Sequence, residues 1–344
     1  MKKHRKLIVI TSVVLLLLLV FLPLPFFVES PGSAQPTADV ISVNQRHDRH
    51  SGKFLFTTVE LTSATPLSMV IAAFDPFREV ESRQEIMAGD NTKEYLQMQS
   101  YFMENASNNA VEAAFKKAHR KYQKDYKGIY VMSLLPKSNF KNHLQVGDIV
   151  SKIDGHRFLS SKAFIKYVKS QKVNQRVTVQ YQRHGKTYHT RQRLISMNKK
   201  QRPGLGISLV DHVKIHTQPK VKIDAGDVGG PSAGLMFSLQ VYSQLTQQNL
   251  TKNRIIAGTG TIDAKGKVGA IGGIDKKVYA ANREHAQIFF APNDPVTKKI
   301  LKIDPHYQNN YTIAKKAAAR LKTKMKIVPV KNLDDAYNYL KTHR

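Results

Sequence analysis

With 344 residues, 41% of them hydrophobic and 23% charged, the chain is long enough for roughly two or three domains and too apolar to be disordered. The absence of cysteine excludes a disulfide framework, a thiolate nucleophile and any cysteine-bound zinc or iron–sulfur centre. Its 54 Lys and Arg against 25 Asp and Glu leave a formal charge of +29; the excess favours anionic partners, but it is scattered end to end and no nucleic-acid partner is expected.

Residues 7 to 28 carry no charge and follow Lys2, Lys3, Arg5 and Lys6. About 20 apolar residues suffice for a helix to span the hydrocarbon core, and the basic tip ahead of Glu29 places the amino terminus in the cytoplasm. A cleaved signal peptide has a shorter apolar stretch, of about 7–15 residues, ending in an Ala-x-Ala-like site; Gly32-Ser33-Ala34 is the nearest approach to one here. The reading is a single-pass cell-membrane anchor, residues 1–28, with all that follows extracellular.

Residues 29–123 read as a small α+β region. Lys53 to Leu61 is rich in β-branched and aromatic residues, as in a strand. From Glu79 to Gln123 the spacing of Met103, Ala110, Ala113, Ala114 and Ala118 predicts helix. His47 and His50 lack a third ligand at a recognisable offset, so no metal is expected there.

Residues 124–200 read as a β domain with one or two helices. Ile129 to Ser133 and Asp148 to Ile153 are strand-like, Asp154-Gly155 is a two-residue hairpin turn, and Val177, Val179 and Tyr181 alternate ahead of Gly185. Between them, Phe164, Ile165 and Val168 share one face of a helix over Ser161 to Lys169. Leu144 to Val150 followed by Ile153-Asp154-Gly155 resembles a PDZ domain. That resemblance implies a groove between a strand edge and the helix near residues 162–170 that accepts an extended peptide, with Tyr126, Lys127 and Gly128 ahead of Ile129 as the loop for a terminal carboxylate.

In residues 201–344, a strand over Lys220 to Asp224 leads through a glycine-rich turn to Ser232 and a helix from Leu235 to Gln247. Glycines there bend the backbone tightly and free amide hydrogens to point at one spot beside the hydroxyl, which is what a nucleophilic serine needs. Gly260 to Lys267 is one residue too long for a Walker loop, and Val268 stands where a magnesium-binding hydroxyl is required. No His follows in a context that suggests a triad. Lys277, near the start of a helix that has Asp275 in its first turn, lies three and four residues from Ala280 and Ala281. Held among such side chains its amine is desolvated, and the neutral form can take a hydroxyl proton.

Gly230-Pro231-Ser232-Ala233-Gly234, Thr259-Gly260 and Val268 to Ala281, continued by strands at Ala286 to Pro292 and Lys326 to Val330 and a last helix from Leu333, resemble the proteolytic domain of the Lon family. The resemblance implies that Ser232 is the nucleophile, that Lys277 rather than Lys276 is the general base, and that Thr259 orients the amine by a hydrogen bond. The Ser232 and Gly230 amides are the expected oxyanion donors. Gly229 departs from the family, which has an acidic residue three positions before the serine, and the chain contains no phosphate-binding loop like that of the Lon ATPase module.

The whole order of anchor, PDZ-like and Lon-like segments resembles the membrane-anchored PDZ proteases of the YlbL and SepM type. The expected fold is therefore α/β multidomain, and the expected activity an ATP-independent serine endopeptidase with a Ser-Lys dyad that cleaves exported peptides or small membrane or surface proteins, needing no metal or cofactor. Its partners are a peptide or protein substrate and the membrane, with a homo-oligomer left open. The competing reading is a catalytically silent PDZ-type surface adaptor that binds anionic wall polymer.

Overall fold

The computed structural model describes residues 2–87, 91–198 and 201–343. Helix α1, Lys2–Phe21, has its Leu and Ile side chains and Val9, Val13 and Val14 exposed, and among the described residues it alone is long and apolar enough to cross a membrane. It ends earlier than the sequence suggests. Pro23 and Pro25 lack donors and bar the residues before them from helical geometry, so Phe26 already opens strand β1, Phe26–Pro36. Phe27 and Val28, expected within the anchor, are buried in the domain that follows.

That domain begins with β1, β2 (Lys53–Ser63), α2 (Pro66–Phe74) and β3 (Glu79–Ser82), then the long helix α3 (Thr92–Lys117). The helix expected from Glu79 is thus broken. Glu79–Ser82 pairs with Phe26–Glu29 as an edge strand, and α3 starts after Asn91, whose side chain accepts from the Glu94 amide at 3.0 Å.

Strands β4 (Tyr122–Leu134) and β5 (Ile149–Ile153), helix α4 (Ser161–Lys169) and strands β6 (Arg176–Arg183), β7 (Lys186–Arg193) and β8 (Ile207–Thr217) form the PDZ module. Its antiparallel sheet runs β8-β4-β5-β6-β7. Ile129, Val131, Ile153, Val177 and Val179 pack with Phe164 and Val168 of α4. The module's last strand lies beyond residue 200, inside the segment expected to be purely Lon-like.

The chain closes with α5 (Gly234–Thr246), β9 (Ile255–Gly258), α6 (Ile274–Arg283), β10 (Ile288–Pro292), α7 (Asn310–Arg320), β11 (Lys326–Val330) and α8 (Leu333–Thr342). These strands join those of the amino-terminal region in one sheet, ordered β11-β10-β9-β2-β1-β3, parallel from β11 to β2 and antiparallel at β1 and β3. The region 29–123 therefore shares its sheet with the carboxyl-terminal domain rather than folding beside it. Alternation along β2 assigns the two faces: Phe54 and Phe56 pack with α3, α5 and α8, and Leu55 packs with α6 and α7.

The PDZ module holds one buried charge whose partner can be removed. Asp148, 1% exposed, accepts from Arg183 Nε and Nη2 at 2.8 Å each. Arg183→Met leaves that carboxylate buried without its cation, and is expected to destabilise the module by about 3 kcal/mol in urea unfolding.

Candidate active site

Helices α5 and α6 lie on opposite faces of the sheet, and a side chain of α6 meets the turn ahead of α5 where β9 stops. Past Gly258 the chain turns, and the turn grips the serine segment: the Gly260 amide donates to the Ser232 carbonyl at 2.8 Å, Thr259 Oγ1 to the same oxygen at 3.1 Å, and the Leu235 amide to the Gly260 carbonyl at 3.1 Å. Ser232 is thereby fixed just ahead of α5. From the other face, Lys277 in the first turn of α6 reaches through, and its Nζ lies 2.8 Å from Ser232 Oγ in a hydrogen bond.

Two neighbouring lysines of α6 have opposite electrostatics. Both are buried, Lys276 at 2% and Lys277 at 4% exposure. Burial works against the charge of Lys276, but the Glu29, Asp275 and Glu79 carboxylates outweigh it and raise its pKa; Glu29 Oε2 and Glu79 Oε2 lie 3.2 and 3.0 Å from its Nζ. At Lys277 burial dominates, only partly opposed by Glu29, and brings the pKa down to about 8. Two amines pushed apart in this way mark one as structural and the other as available for proton transfer.

A cavity of about 260 Å³ opens over the pair, lined by Phe56 to Val59 of β2, Met103 of α3, Asp227 to Gly229, and Ser232, Ala233 and Lys277. Strand β9 pairs with β2 only over Lys53–Phe56, so Thr57 to Val59 reach the cavity beyond the end of that pairing.

Three expected contacts are placed differently. Thr259 bonds the Ser232 carbonyl, not the amine, and so braces the backbone of Ser232. The Gly230 amide already donates to the Gln99 carbonyl of α3 at 2.9 Å. Tyr126 to Ile129 form no open loop: they lie within β4, with Tyr126, Gly128 and Ile129 in register with Val213, His212 and Asp211 of β8 and Ile129 with Val150 of β5. The strand edge that meets α4 belongs instead to β8, entered through Gly204-Leu205-Gly206-Ile207 with Gly206 at φ +74°. That glycine pair stands in the sequence directly before a strand-like run, and was the available signal.

The structure also accounts for Gly229. A Cβ added there would lie 2.7 Å from Gln99 Cβ, so the approach of α3 leaves no room for the family's acidic side chain. Nothing in the sequence marks Gln99 or Met103 as site residues, because α3 comes from far up the chain.

An unfolded lysine keeps its proton up to a pKa near 10.5, whereas Lys277 releases it at about 8. Below pH 8 the folded state therefore bears the full cost of the buried charge, and stability recovers as the pH rises from about 8 to 10.5. Lys277→Met is expected to stabilise the fold at pH 7 by on the order of 3 kcal/mol while removing the amine, and thermal melts should show this gain shrinking towards pH 10. Gly229→Ala is expected to push α3 off the turn and lower the melting temperature.

Two segments of the chain match known families. Residues 106–192 match the model of the PDZ domain, and residues 195–340 match that of the Lon protease (S16) C-terminal proteolytic domain. Lon protease of the Aster yellows witches'-broom phytoplasma is 29% identical over 109 residues, 32% of this chain and 12% of that protein. Lon protease of Trichlorobacter lovleyi is 35% identical over 117 residues, 33% of this chain and 12% of the relative. The chain thus spans about an eighth of the length of these relatives. Among solved structures, the PDZ domain of the SdrC-like protein from Listeria monocytogenes is 38% identical, covering 25% of this chain and 90% of that one at a TM-score of 0.25. The chain thus joins a segment that matches the PDZ domain to one that matches the Lon C-terminal proteolytic domain.

Proposed function

We propose that the chain is an ATP-independent serine endopeptidase in which Ser232 and Lys277 form the catalytic dyad, held outside the membrane by α1. The observation that carries this reading is the 2.8 Å contact between the Lys277 amine and the Ser232 hydroxyl in a site where the amine is almost wholly withdrawn from water. The neutral amine takes the hydroxyl proton as Ser232 Oγ attacks the peptide carbonyl carbon. The resulting ammonium returns that proton to the departing amine, leaving an acyl-serine. Lys277 then deprotonates a water that attacks the ester, and the serine is regenerated with its proton restored.

The Ser232 amide supplies one oxyanion donor. Recruitment of the Gly230 amide as a second requires the Gln99 carbonyl to let it go, so a small displacement of α3 completes the hole. Extended polypeptide fits the uncovered stretch of β2 at Thr57 to Val59, where main-chain pairing would lay the scissile bond over the dyad.

The PDZ module supports the same reading as a docking site. Peptide would add to β8 near Ile207 to Val210 opposite α4, since further along that strand α3 already bonds the edge through Tyr101 to the Asp211 carbonyl and Asn108 to the Val213 carbonyl and Ile215 amide. Docking there raises the concentration of substrate at the dyad. The chain itself contains no phosphate-binding loop, so unstructured segments rather than folded domains are the fitting substrates.

Ser232→Ala and Lys277→Ala are each expected to lower cleavage of an unstructured peptide by about 10⁴-fold or more. In the unmodified protein kcat/KM should climb about tenfold per pH unit up to about 8 and level above it, as a base of that pKa requires. Full activity of the Ser232→Ala protein, or a profile flat from pH 6 to pH 9, would remove the dyad from the mechanism and favour the adaptor.

A further inference from the structure

Helix α2 is unusual for a surface helix. Its sequence, Pro-Leu-Ser-Met-Val-Ile-Ala-Ala-Phe, has no charged residue. One side packs inward, where Ala72 and Met69 meet Val28, Ala64 and Val80. The other presents Val70, Ile71 and Phe74 outward at 54%, 44% and 86% exposure. Solvated helix faces are polar, and an apolar cluster of this kind marks a surface that something covers.

The position of α2 says what covers it. The helix packs against α1, and four residues, Leu22 to Pro25, separate α1 from β1. That link is pinned to the start of α2: the Leu24 amide donates to the Ala64 carbonyl at 2.8 Å, and the Ala64 amide to the Phe26 carbonyl at 2.9 Å, directly before the Thr65 cap. The apolar face of α2 is therefore continuous with that of α1, whose last residue Phe21 is itself exposed, as is Leu22 directly after it.

We propose that Val70, Ile71 and Phe74 of α2 lie in the interfacial layer of the bilayer that α1 spans, seating the catalytic domain on the membrane and directing it to membrane-tethered polypeptides near their point of exit. The proposal rests on the reading of α1 as an anchor and of the dyad as a protease. Its second part follows from reach. Glu29, which with Glu79 holds Lys276 beside the dyad, is eight residues past the end of α1, at most about 30 Å of extended chain. Glu79 is five residues past Phe74, at most about 18 Å.

The lack of native cysteine makes single-cysteine probes unambiguous. Full-length Phe74→Cys, Leu15→Cys and Lys186→Cys would each carry a polarity-sensitive fluorophore in phosphatidylcholine–phosphatidylglycerol vesicles containing brominated lipid, with Leu15 reporting α1 and Lys186 the exposed tip between β6 and β7. The expected result is lipid quenching at Leu15 and Phe74 and none at Lys186. Quenching at Leu15 without quenching at Phe74 overturns the proposal alone, and shielding of Phe74 from iodide without lipid quenching assigns the face to a protein partner instead. An unquenched Leu15 overturns the anchor and the proposal together. In a second arm, Phe74→Glu should cleave a soluble peptide at the unmodified rate but a peptide tethered to the same vesicles about tenfold more slowly. Equal loss on both substrates, or on neither, overturns the assignment of membrane-tethered substrates, and no cleavage of either by the unmodified protein refutes the protease reading itself.

Discussion

An ammonium group taken out of water without a full counter-charge costs the fold several kcal/mol, and the arrangement around Lys277 maintains that cost. Its neighbour Lys276 draws the carboxylates of Glu29 and Glu79 to itself, leaving Lys277 only the remote influence of Glu29. Among the described residues, the Ser232 hydroxyl is the one hydrogen-bond partner of its Nζ. Stability is exchanged for an amine that gives up its proton near pH 8, and the sheet makes the exchange feasible because β9 ends early enough for a side chain from one face to meet a backbone turn from the other.

Helix α3 connects this site with the rest of the molecule. It packs on α5, contributes Met103 to the cavity wall, and engages the Gly230 amide through Gln99. Further along, its Tyr101 and Asn108 bond the outer edge of β8. One helix thus touches both the Gly230 amide and the outer edge of β8, and any displacement of it is felt at each end. Gly229 belongs to the same device, since the absence of a side chain there is what lets α3 come so close.

Local features of the fold were legible from residues alone. The α4 helix, the Asp154-Gly155 turn, the alternating strand through Val177, Val179 and Tyr181 and the helix after the serine turn all follow from periodicities and turn residues acting within a few positions of each other. Misplaced boundaries have equally plain causes. Apolar character does not distinguish a lipid-facing residue from a core residue, so Phe27 and Val28 were indistinguishable from the span before them. The helical spacing after Glu79 concealed a strand because four residues set no period of their own.

The sequence by itself determined the parts: a serine on a glycine turn, a lysine near the start of a helix, an apolar leader and the order of the modules. These depend on covalent neighbours and short-range backbone geometry. Tertiary structure alone decided what Thr259 braces, that the Gly230 amide is occupied, that β8 rather than the Tyr126 to Ile129 stretch offers the open edge, and that the amino-terminal strands complete the sheet of the carboxyl-terminal domain. Each depends on which distant segment arrives beside a given atom, a matter of long-range packing that no local pattern encodes.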